Sequence, residues 1–68
     1  MNVTQLSWDL EEYRSLYEAG DLSKEEYKDL LAGLKLEEVI HNTEEELRMK
    51  IELQANITIA LKAISAIV

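Results

Sequence analysis

The chain reads as an all-α protein: a helical hairpin followed by a long C-terminal helix, assembling as an oligomeric helical bundle. Three observations predict this. The 68 residues hold no proline and only two glycines, while 47% are hydrophobic, which is a helix-rich and not a disordered composition. Apolar residues recur at three- and four-residue spacings along much of the chain, the repeat of a helical face. The last sixteen residues, Leu53 to Val68, contain eleven apolar side chains and one charge, Lys62. A single hairpin covers one side of such a helix and leaves the rest to another copy.

Residues 1–68 make one domain. A core this small sits close to zero net stability once ordering costs are counted, so chains of this length rely on disulfides, a metal or self-association. There is no cysteine and only one histidine, so a disulfide and a thiolate metal site are excluded and self-association is the remaining staple. No cofactor is expected. The N-terminus lacks a basic region followed by an apolar run, so no signal peptide is read. The apolar tail is shorter than a bilayer span of roughly 20 residues, and it carries Gln54, Asn56, Thr58, Lys62 and Ser65. The expectation is a cytoplasmic protein, of a bacterium or an infected host cell, with no membrane span.

Helix 1 is expected over about residues 8–19, capped by Ser7 and led in by a loose Met1–Leu6 segment. Asp9, Glu11 and Glu12 would place negative charge at the positive end of the helix dipole. Leu6, Leu10, Tyr13, Leu16 and Tyr17 form one apolar stripe. Trp8 lies off it, as a lid over the hairpin or as a contact for a partner. Gly20 ends the helix, because glycine takes the left-handed C′ conformation without a Cβ clash.

Helix 2 is expected over about residues 24–41. Ser23 with Glu26 has the spacing of a capping box, and Leu22 with Tyr27 has that of a hydrophobic staple. So short a connection makes helices 1 and 2 antiparallel, with Tyr27, Leu30, Leu31 and Leu34 facing Tyr13, Leu16 and Tyr17. Gly33 marks either an end or a close approach by another helix. With no capping residue directly after it, continuation through Leu36, Val39 and Ile40 to about His41 is favoured.

The stretch Leu16-Tyr17-Glu18-Ala19-Gly20-Asp21-Leu22-Ser23-Lys24-Glu25-Glu26-Tyr27, followed by Leu30-Leu31, resembles the SHOCT (short C-terminal) helical hairpin, and similar hairpins occur in small phage-encoded proteins. The resemblance covers about residues 10–34. It implies an oligomerisation or adaptor role without catalysis. Apart from the resemblance, periodicity and capping spacing place Leu10, Gly20, Ser23 and Glu26 in the expected hairpin core and caps.

Helix 3 is expected over about residues 44–68. Thr43 with Glu46 repeats the capping-box spacing, and Glu44, Glu45 and Glu46 suit a first turn. The competing reading is one uninterrupted helix from Lys24 to Val68. Leu53, Ile57, Ala60, Ile64 and Ile67 follow a four-three-four-three spacing, a heptad seam. With Leu61 and Val68 they are the expected interface between copies, in a dimer as the commonest closed form. Ala55 and Ile59 belong to a second apolar row.

Net charge is −7, and thirteen of the fourteen acids lie in residues 1–46 against four bases. Such a surface repels phosphate backbones, so direct nucleic-acid binding is disfavoured. It would attract a basic protein surface. The paired carboxylates sit at expected helix starts and polar faces, where capping and solvation explain them. The Glu38-x-x-His41 spacing occurs in carboxylate-bridged di-iron helices, but such a site needs two motifs and this chain has one. No phosphate loop, cysteine nucleophile or Ser–His–Asp spacing is present. The reading is a non-enzymatic, self-associating adaptor, assembly or regulatory protein. The alternative is an acidic inhibitor or nucleic-acid mimic on a basic site of a host protein.

Overall fold

The computed structural model describes residues 1–66 and is all-α: α1 (Val3–Glu18), α2 (Lys24–Leu36) and α3 (Glu44–Ala66). The hairpin of α1 and α2 is closed by α3, which folds back across both. α2 packs against both other helices, and α1 and α3 make the least contact of the three pairs.

The first turn of α1 corrects the sequence reading. The helix begins at Val3, and its cap is Asn2, whose Oδ1 accepts the Gln5 N–H at 2.8 Å. Ser7 lies inside the helix and Met1–Leu6 is not a loose lead-in. The reason is burial: Val3 and Leu6 are both in the core, and a helix starting after Ser7 would take them off the stripe they share with Leu10, Tyr13 and Tyr17. The chain start is also tied down. Ile40 N–H donates to the Met1 carbonyl at 2.9 Å, and the Met1 ammonium donates to the Glu38 carbonyl at 3.1 Å.

The turn between α1 and α2 follows from two local devices. Gly20 takes φ 84°, and two hydrogen bonds close the helix end. Asp21 N–H donates to Leu16 O at 2.8 Å, and Gly20 N–H donates to Tyr17 O at 3.1 Å, the Schellman pattern that left-handed glycine permits. Ser23 then caps α2 reciprocally: its Oγ accepts the Glu26 N–H at 3.1 Å, and Glu26 Oε1 accepts the Ser23 N–H at 3.0 Å. Hydrogen bonding from the Ser23 backbone N–H, and to a smaller extent from its side chain, holds the Glu26 carboxyl below its usual pKa.

α2 stops at Leu36 and not near His41; Glu37 is its C-cap, in extended conformation. Register explains the stop. The buried face of α2 is Tyr27, Leu31 and Leu34, so a continued helix would bring Glu38 and His41 onto that face and swing Val39 away from it. Leaving the helix lets Val39 reach the core, where it is buried. Gly33 neither ends the helix nor receives a neighbour, since a Cβ built there meets nothing within 4 Å.

α3 begins where its capping signal lies. Thr43 Oγ1 accepts the Glu46 N–H at 3.1 Å, and Glu46 Oε2 accepts the Asn42 N–H at 2.8 Å. The break between α2 and α3 excludes the single long helix. No helix among the described residues is long and apolar enough to cross a membrane.

Candidate interaction surface

The heptad seam of α3 lies inside the chain's own core. Ile57 is 0% exposed and Ile64 3%, in one cluster with Leu6, Tyr27, Leu31, Leu34 and Val39. Leu53, Ala60 and Leu61 are partly buried against the same cluster. This side of α3, expected to face another copy, faces the hairpin instead. The physical reason is that the hairpin offers an apolar face of its own. Covering it with a helix of the same chain needs no loss of translational freedom, which association between copies does. Ile67 and Val68, expected at the same interface, lie outside the described residues.

The hairpin residues sit largely where their spacing put them. Tyr17 and Tyr27 stack, with ring centroids 4.6 Å apart and planes 11° from parallel, a geometry that adds to simple area burial. Leu10, Tyr13 and Leu22 pack at the edge of the core, while Leu16 and Leu30 are half-buried. Burial raises the Tyr27 hydroxyl above its ordinary pKa. Burial does the same to Tyr13, assisted by the negative charges of Asp9, Glu12 and Glu37.

The outward surface holds what the core leaves over. Trp8 is 71% exposed, so it does not cover the hairpin as a lid. On α3, Ile51 is 58% exposed and Ile59 64%. Ile59 follows Ile57 by two residues, about 200° around the helix, so it points away from the core. Ala55 and Ala63, also exposed, complete a four-residue repeat with them. α3 therefore carries apolar rows on two opposite sides, one filled and one open. The sequence carried a signal for this row in the i, i+4 spacing of Ile51, Ala55, Ile59 and Ala63, but the heptad seam is the denser apolar row and masks it.

Between α1 and α3 runs a cleft of about 350 Å³, with Tyr27 at its floor and Leu10, Arg14, Leu53, Asn56 and Ala60 among its walls. Its charged groups are already engaged: Arg14 bonds Glu11 at 2.8 Å and approaches Glu18 at 3.9 Å. Both pairs are exposed, and exposed pairs contribute little. Glu38 and His41 fall in the connection between α2 and α3 and are exposed, so they do not share the helical face that a bridging carboxylate–histidine pair requires.

Searches for similar proteins return no matching family model, no matching curated protein and no matching solved structure.

Proposed function

We propose that the chain is a non-enzymatic, self-associating helical module that serves in assembly, as an adaptor or in regulation, in a phage or bacterial setting and in the cytoplasm. The observation that carries this reading is the open apolar face of α3. Ile51 and Ile59 stand in water on the same helix whose other side closes the core. Scattered exposed apolar residues are ordinary, but an aligned row on one helix is the kind of surface that partners cover. The resemblance of residues 10–34 to the SHOCT hairpin supports the same role. The surface then has a division of labour, with the apolar side of α3 turned to another copy and the acidic hairpin turned to other partners.

The test is solution mass by light scattering across a concentration series. Association should raise the mean mass above the 7.8 kDa of one chain as concentration increases. A mass that stays at one chain into the millimolar range overturns the reading.

A second reading rests on charge. Residues 1–46 carry thirteen acids against four bases, and an inhibitor using them would dock on a basic protein surface. Its complex would weaken steeply as salt rises, whereas association through the apolar face would not.

A further inference from the structure

We infer that the outer face of α3 pairs with the same face of a second copy in antiparallel orientation, with the two-fold axis beside residue 57. The inference rests on the proposed self-association and specifies its surface and register.

The outer face of α3 presents a row of mixed size and charge. Read along α3, it carries Glu52, Ala55, Ile59, Lys62 and Ala63 after Ile51, all of them exposed. Large and small apolar residues alternate every four positions, and one acid and one base stand at opposite ends of that row. A symmetric pair of helices can meet in two ways. In a parallel pair each residue faces its own counterpart, so Glu52 approaches Glu52 and Lys62 approaches Lys62. Like charges repel, and isoleucine meets isoleucine where alanine meets alanine. In an antiparallel pair centred on residue 57, residue 52 faces residue 62 of the other copy, 55 faces 59 and 51 faces 63.

That single register satisfies size and charge together. Each Ile59 packs into the space left by Ala55 of the partner copy, and each Ile51 into that left by Ala63. Glu52 of each copy meets Lys62 of the other, giving two ion pairs that flank the apolar centre. Shifting the centre to residue 55 would instead set Arg48 against Lys62, two cations. Among the described residues neither Glu52 nor Lys62 has an ion-pair partner within its own chain, and both are exposed, so both side chains are free to reach across. An isologous arrangement of this kind closes on itself and stops at two copies.

The test uses charge reversal in the full chain, read by sedimentation equilibrium with helicity checked by circular dichroism. Glu52→Lys sets Lys against Lys at both flanks, and Lys62→Glu sets Glu against Glu. Each should weaken dimerisation by about tenfold or more at low salt, although the two shift net charge in opposite directions. The double variant E52K/K62E restores both pairs with their signs exchanged and should recover the dimer. Wild-type association that neither single reversal weakens, or a double variant no better than the singles, overturns the register while leaving self-association standing. A wild-type chain that stays single throughout the series removes both.

Discussion

The two faces of α3 are made of similar residues and stand in different surroundings. Ile57 and Ile59 have the same side chain two positions apart, yet Ile57 is 0% exposed and Ile59 64%. Composition does not separate them; position on the helix does. The inner face is covered by a hairpin tied to it through a seven-residue connection, residues 37–43, so its burial is part of folding. Among the described residues the outer face has no such cover. Apolar content therefore marks both surfaces, while connectivity decides which one becomes core.

The largest effects belong to the inner side. Ile57→Asp puts a carboxylate into the dry centre of the cluster and removes a filled volume at the same time, at a cost above about 4 kcal/mol. A domain of this length rarely holds more than about 3–5 kcal/mol, so the chain should be unfolded at room temperature, as read from its far-ultraviolet helical signal. Leu6→Ala comes next. Its cost should be about 2–5 kcal/mol by cavity formation, measured by urea unfolding, whereas a loose N-terminal segment would give almost none. Gly33→Ala works in the opposite direction. With open space at the Cβ position and helical surroundings, it should stabilise by up to about 1 kcal/mol. No gain in midpoint would show that Gly33 is not in a regular helix in solution. Ile59→Asp is the smallest in stability terms, within about 0.5 kcal/mol for a surface change, yet it should abolish the proposed self-association.

Where sequence reading succeeded, the determining interactions were local. The Ser23–Glu26 box, the Thr43–Glu46 cap and the positive φ of Gly20 each involve residues within a turn of one another, so spacing alone locates them. Where it failed, a distant partner decided the outcome. Asn2 prevailed over Ser7 as the first cap because Val3 and Leu6 are needed in the core. α2 ended before His41 because Val39, and not Glu38, had to be buried. Both errors carried a correctable signal in helical register: Val3 extends the stripe of Leu6, Leu10, Tyr13 and Tyr17, and Glu38 falls on the face of Leu31 and Leu34. The seam of Leu53, Ile57, Ala60 and Ile64 was legible as an apolar face, but periodicity does not state whether the covering helix comes from the same chain. The open row on the other side became distinct only once the inner side was filled.

The most direct test of this division is a thermal melt of Ile57→Asp and Ile59→Asp beside the wild-type chain, followed by circular dichroism at a concentration where the wild type is a single copy. The expected result is no helical transition for Ile57→Asp and a melt close to wild type for Ile59→Asp. Equal loss of structure in the two variants, or a folded Ile57→Asp, would contradict it.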